Sequence, residues 1–313
     1  MTQTTKEVFE KYQVRKSKKQ RTAFIEYVKG VCKKYGYEVK TEKGSFGTEN
    51  IVVGDVDKAK VLYTAHYDTC ARLLFPNFIT PKNFFIYLIY QLLIVAGFFA
   101  VAALAGLLLS VVLAHTSLDK FLVTLICEDF GLLVYFLMLF LMIFGPANKH
   151  TANDNTSGVT VVIDTMLSMP ENAKKDAAFV LFDLEEMGLF GSCGYNSKHK
   201  TMMKNKLLIN FDCVSDGNDI LLIVKKKASD YIPAITEAFK GNETICTQVV
   251  SKNVFYPSDQ SSFPMGVGIG AFKRTKRLKI LYLDRIHTKH DTIYNEENIR
   301  FLVNSAIKLT EIL

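Results

Sequence analysis

The sequence predicts an α/β fold: a mostly parallel central sheet flanked by helices, with a two-helix transmembrane hairpin inserted into it. Short β-branched apolar runs alternate with amphipathic stretches, the pattern of strands connected by helical crossovers. An uncharged run at 84–114 and a second apolar run at 121–144 interrupt that alternation. Acidic and histidine side chains stand just after several short runs, where such sheets gather their chemistry beyond the carboxyl ends of the strands.

In chain order, residues 20–36 predict an amphipathic helix with Phe24, Ile25, Val28, Val31 and Cys32 on one face. Residues 50–54 and 59–65 read as two strands joined by a Gly54-Asp55 turn. After the apolar segment, Ser157-Gly158 opens a helix through 159–169. Residues 177–182, 207–211, 219–224 and 266–272 read as strands, 231–239 as a helix and 296–313 as a terminal amphipathic helix. The chain divides into 1–82 and 147–313, two parts of one catalytic domain, and 83–146, the inserted hairpin.

About 20 apolar residues span a bilayer, and the run at 84–114 exceeds that without a single charge. The polar stretch 115–120 separates it from the run at 121–144, which stops at Gly145-Pro146. A hairpin crossing twice is the leading reading; a re-entrant or interfacial hairpin is the alternative. Glu128 and Asp129 interrupt the second run. They lie at the far interface if the second helix begins near Phe130, whereas a deeper position would mark a functional site.

Both ends of a hairpin share one side of the membrane, and their flanks are rich in Lys and Arg while the turn holds only Lys120. The positive-inside rule therefore predicts an integral protein of the plasma (inner) membrane with a cytoplasmic catalytic domain. The six cysteines show neither CxxC nor framework spacing and read as mostly buried, reduced thiols. A polar, charged N-terminus without an apolar core predicts no cleavable signal peptide. The formal charge is +7. Its clusters (Arg15, Lys16, Lys18, Lys19 and Arg21; Lys273 to Lys279) read as solvated surface or as patches facing anionic lipid. No recognition motif accompanies them, so nucleic acid is not an expected partner.

The candidate chemistry lies in His66, Asp154, Glu185-Glu186, Asp212 and His287. Two imidazoles, two carboxylates and one bridging carboxylate can hold a pair of divalent metals roughly 3.5–4 Å apart. Such a pair generates hydroxide at neutral pH and clamps a carbonyl, so the set points to metal-assisted hydrolysis. Asp68, two residues after His66, can accept a hydrogen bond from the other ring nitrogen and fix the tautomer. Asp154 could equally be a helix N-cap, and Asp212 a strand-end turn residue. Adjacent glutamates after a buried strand diverge, so Glu186 can bind metal while Glu185 acts as general base. His287 and His290 compete for the last ligand position, and the apolar run before His287 favours it. His199, in a Lys-rich stretch, reads as surface.

The stretches AHYDT (65–69), ANDNTSGV (152–159), FDLEEMGLFGS (182–192), NFD (210–212), SDQSSF (258–263) and IHTKHDT (286–292) resemble the M28 family of zinc peptidases, the aminopeptidase group with a phosphorylase/hydrolase-like α/β fold. They span nearly all of the chain outside the hairpin. The resemblance implies two zinc ions: His66 and Asp212 on one, Glu186 and His287 on the other, Asp154 bridging, and Glu185 activating a metal-bound water. It implies Asp259 and Phe263 on the substrate side, although Gln260 stands where the family often has His. Manganese or cobalt could replace zinc at so oxygen-rich a site.

The implied activity is that of a membrane-anchored aminopeptidase acting on peptides, with the bilayer as a further partner. The hairpin joins two metal-site segments, which predicts an active-site mouth near the membrane and a bias toward apolar or membrane-derived peptides. Anchoring alone, or packing into an oligomer, is the plainer reading. The alternatives are another zinc-dependent amidohydrolase (carboxypeptidase or deacylase) and a non-catalytic membrane scaffold or chaperone. Glutaminyl cyclisation relies on tryptophans, and this chain has none.

Overall fold

In the computed structural model, which describes residues 2–313, every residue of three apolar runs is buried, and the three lie side by side as parallel neighbours at the centre of one sheet. The order is α1 (Gln3–Tyr12), α2 (Lys18–Lys34), β1 (Val39–Lys43), β2 (Glu49–Val53), β3 (Val61–His66), α3 (Phe84–Leu113) and α4 (Lys120–Phe144). Then follow α5 (Gly158–Ser168), β4 (Ala177–Phe182), α6 (Phe190–Lys198), α7 (Lys200–Met203), β5 (Leu207–Phe211) and β6 (Asp219–Val224). The chain closes with α8 (Ile232–Ala238), β7 (Cys246–Val250), β8 (Gly266–Arg274), β9 (Leu281–Tyr282) and α9 (Glu296–Ile312).

The sheet runs β1-β2-β4-β3-β5-β8-β6-β7, with β9 paired to β8. Its centre, β4-β3-β5-β8, is parallel, while β1, β2 and β6 introduce antiparallel pairs. This is the α/β class that the sequence predicts, in a mixed form. One local expectation fails. β2 and β3 are not partners across the Gly54 turn, because β4 lies between them, pairing Val53 with Phe179 on one side and Tyr63 with Phe179 on the other.

Side chains alternate across the sheet, which is why these strands read as continuous apolar runs. Tyr63, Phe179, Ile209 and Phe211 join Phe24, Val161 and Leu302 of α2, α5 and α9 on one face. Leu62, Val180, Phe182 and Leu208 meet Tyr195, Met203 and Phe263 on the other. Ser17 and Gln20 form a capping box that starts α2 ahead of its apolar face. Sequence reading missed the polar strand β1, helices α1, α6 and α7 and the half-buried β7.

The N-terminal basic cluster is partly structural rather than solvated. Arg15 is fully buried; its guanidinium donates to the carbonyls of Tyr67, Tyr12 and Gln13. Arg21 pairs with Asp183 at 2.9 Å.

Two compact units emerge. One ends its first part at Asn83 and resumes from Ala147 to Leu313; the other is Phe84–Pro146. Within the second, α3 and α4 have 30 and 25 residues, long and apolar enough to cross a membrane. They pack closely at glycines: a Cβ on Gly106 would meet the Cys127 carbonyl at 2.8 Å, and one on Gly131 the Ala102 carbonyl at 3.0 Å. The second helix begins at Lys120, not near Phe130, because Asp119 caps it by accepting the N–H groups of Phe121 and Leu122. Glu128 and Asp129 thus lie roughly two turns inside a continuous helix.

Candidate active site

Register brings the candidate residues together. His66 ends β3 opposite Phe182 at the end of β4, so Glu185-Glu186 leave the sheet beside it. Asp212 follows the last residue of β5. Asp154 comes from the loop before α5, and His287 from the segment after β9. His66, Asp154, Glu185, Glu186, Asp212 and His287, with Asn77, Gly188, Tyr256 and Ile286, line a cleft of about 270 Å³.

The Asp154 carboxylate lies between the two imidazoles. Its Oδ1 is 3.4 Å from His66 Nε2 and its Oδ2 is 3.2 Å from His287 Nε2. On the His66 side, Asp212 Oδ1 is 3.5 Å from Nε2; on the His287 side, Glu186 Oε2 is 3.2 Å from Nε2. Two nitrogen or oxygen ligands about 2.0–2.1 Å from one tetrahedral ion stand about 3.3 Å apart, so this spacing suits donors that share cations. Glu186 Oε1 and Asp212 Oδ1 are buried and make no hydrogen bond. The donor set therefore fits divalent metal.

Electrostatics agree. Burial alone would lower the His66 pKa, but Glu185, Asp154, Asp212 and Asp68 outweigh it and push it well up. Burial would raise Asp154, yet the two imidazoles hold it well below the usual carboxylate range. Burial pushes the Glu185 carboxyl well up; His66 opposes this, and Asp212, Glu186 and Asp259 add to it.

Main-chain N–H groups and carboxylates fix the frame. The Asp68 carboxylate accepts the N–H groups of Glu185 and Glu186. The expected hydrogen bond from His66 is altered: Nδ1 lies 3.2 Å from the Asp68 main-chain oxygen and 3.5 Å from its carboxylate. Asp291 accepts the N–H groups of Asn153 and Asp154 at 2.8 and 3.0 Å. Asp154 is not the cap of α5. The N-cap position is Ser157, and the Gly158 N–H is accepted instead by the Asn155 side chain, which also donates to the Phe211 carbonyl. Asn153 accepts from Ser215 and Asp216. Leu184, Leu189, Cys213 and His287 all have positive φ, a costly state for such residues.

Neither of the two expected substrate-side residues lines the cleft. Phe263 is fully buried, stacked on Phe182 with ring centroids 5.6 Å apart. Asp259 is also fully buried, near enough to the donors to interact with Glu185 and His66. Gln260 is buried too, accepting from Asn210 and donating to the Tyr256 carbonyl. His290 lies outside the donor groups, which take in His287. His199 is not free surface: its Nε2 is 2.7 Å from Glu42.

Sequence reading missed Arg15, Cys70, Asn153, Asn155, Tyr256 and Asp291 as parts of this frame. Asn153 and Asn155, in the 152–159 stretch, and Asp291, the acidic residue of the 286–292 stretch, carried a signal. Tyr256 lines the cleft and donates to the Asp212 carbonyl.

The sequence pattern described as "Peptidase family M28" matches residues 140–307. No curated protein matches the chain. Among solved structures, the LapA aminopeptidase of Legionella pneumophila is similar over 99% of this chain and 68% of its own, at 13% identity and a TM-score of 0.57. LapB from Legionella pneumophila is similar over 98% and 69%, at 14% identity and a TM-score of 0.56. At such identities the likeness is one of fold.

Proposed function

The chain belongs to peptidase family M28, and on that premise we propose that it is a membrane-anchored dinuclear zinc aminopeptidase removing N-terminal residues from peptides. The observation that carries this reading is the Asp154 carboxylate with one oxygen toward each imidazole. His66 and Asp212 would hold one zinc, Glu186 and His287 the other, with Asp154 shared.

When bound, the ions supply a water of lowered pKa and polarise the scissile carbonyl. Glu185, at the cleft wall, takes the proton of the attacking water on its carboxylate and passes it to the leaving amine. A buried carboxylate with a raised pKa is suited to both halves of that transfer. Asp68 holds the main chain of both glutamates, whose side chains line the cleft, Glu186 beside His287 and Glu185 beside His66 and Asp212. Tyr256 and Asn77 border the space where substrate would lie. Helices α3 and α4, inserted into the catalytic domain between residues 83 and 147, would anchor it in the bilayer, with the basic flanks on the cytoplasmic side.

The test is a peptide panel, each peptide with a free and a blocked N-terminus, given to the detergent-purified chain and to Glu185→Gln. Chelator-sensitive release of single N-terminal residues is expected, abolished by blocking, and reduced about 10²–10⁴-fold in the variant. Cleavage indifferent to the block would replace the aminopeptidase reading with carboxypeptidase or deacylase chemistry.

A further inference from the structure

We propose that Cys70 is an additional donor to the metal held by Glu186 and His287, a thiolate that gives this half of the site a preference for zinc over manganese. The proposal rests on the metallopeptidase reading and deepens it.

Cys70 lies four residues beyond the end of β3 and is buried. One ligand atom from each of Cys70, Asp154, Glu186 and His287 lies within 4.8 Å of the others. An ion settling among them would need donor shifts of only about an ångström to reach Zn–S and Zn–N distances of about 2.3 and 2.0–2.1 Å. Glu186, one of the four, has an Oε1 that is buried and without a hydrogen-bond partner on a side chain 8% exposed.

The thiol is also fixed in place. Asn148 Nδ2 stands 3.9 Å from its sulfur and donates to the carbonyl of Thr288, next to His287, at 2.9 Å. The Asn148 main-chain N–H donates to the Cys70 carbonyl. Nearby, the Leu73 N–H donates to the His287 carbonyl at 2.8 Å. Cys70 is thus tied to the loop that delivers His287.

Binding forms a sulfur–metal bond as the S–H proton leaves to solvent. A thiolate is a soft donor and favours zinc and cobalt over manganese, which prefers oxygen. The remaining donors are carboxylate and imidazole, so this sulfur would decide the selectivity. Cys213, grouped with Asp154 and Asp212, is the other thiol near the donors, and its variant tells the two sulfurs apart.

The experiment loads the full chain in detergent with cobalt(II) and records the near-ultraviolet sulfur-to-cobalt charge-transfer band. Wild type and Cys213→Ser should show the band, and Cys70→Ser should not. Cys70→Asp should bind cobalt without the band. Competition titrations should show the zinc-to-manganese affinity ratio falling at least about tenfold in Cys70→Ser, the size of effect seen when groups supporting a metal are removed. Wild-type protein that binds two cobalt ions without the band overturns the thiol proposal and leaves the metallopeptidase reading standing. So does a band that survives in Cys70→Ser or vanishes in Cys213→Ser. Wild-type protein that binds no cobalt overturns both.

Discussion

From the segment just beyond β3, Asp68 holds Glu185: its Oδ1 accepts the Glu185 main-chain N–H at 3.0 Å, and Oδ2 accepts the next N–H, that of Glu186, at 3.2 Å. The segment that carries His66 therefore sets where the two glutamates stand after β4. Both contacts are charge-assisted, the stronger class of hydrogen bond.

Asp68→Asn replaces one accepting oxygen with an amide that donates toward an N–H. Turnover should fall about 10–100-fold, the range found when groups orienting metal ligands are removed. Metal content, read by elemental analysis, should stay near wild type. Unchanged turnover would remove Asp68 from the positioning frame.

Arg15→Lys should destabilise the catalytic unit. A single ammonium cannot serve the carbonyls of Tyr67, Tyr12 and Gln13 together. One or two buried carbonyls left unpaired, at about 1–3 kcal/mol each, predict a loss of about 2–4 kcal/mol. Thermal unfolding measures it, and a wild-type midpoint would contradict the role assigned to the guanidinium.

Gly158→Ala places a Cβ against the Phe211 carbonyl and the Asn155 side chain. Those two groups join the Asp154 loop to the end of β5. Overpacking of this kind costs about 1–3 kcal/mol, and weaker metal binding should accompany a lower unfolding midpoint. A variant with both properties intact would show that the loop absorbs the methyl group freely.

Glu42 predicts an acid-dependent stability. Burial pushes its carboxyl up, but His199, Lys198 and Lys40 outweigh it and hold it at about 2. A folded value below the unfolded one gives stability that is present above about pH 4.3 and lost as pH falls toward the folded value. The midpoint gap between wild type and Glu42→Gln should shrink from about pH 6 to about pH 3. A gap of constant size would sink this account.

Orientation is open to thiol labelling. Cys193 and Cys246 are exposed in the catalytic unit. A membrane-impermeant maleimide should modify them in inside-out vesicles and leave them unmodified in intact cells. The opposite pattern would reverse the proposed topology.

The sequence by itself determined the strand and helix alternation of the core, the two long apolar helices, and the order of the six candidate residues from His66 to His287. Each of these is written in local periodicity, in an uninterrupted apolar run, or in a short stretch whose residue types are specific. The tertiary structure decided the rest. It placed β4 between β2 and β3, faced Asp154 with an imidazole on each oxygen, and set Cys70 among Glu186 and His287. It buried Arg15 under the β3 segment and moved Phe263 onto Phe182, away from the cleft. These pairings join residues far apart in the chain, so they follow from strand order and from the requirement that buried polar groups find partners, neither of which a local pattern records.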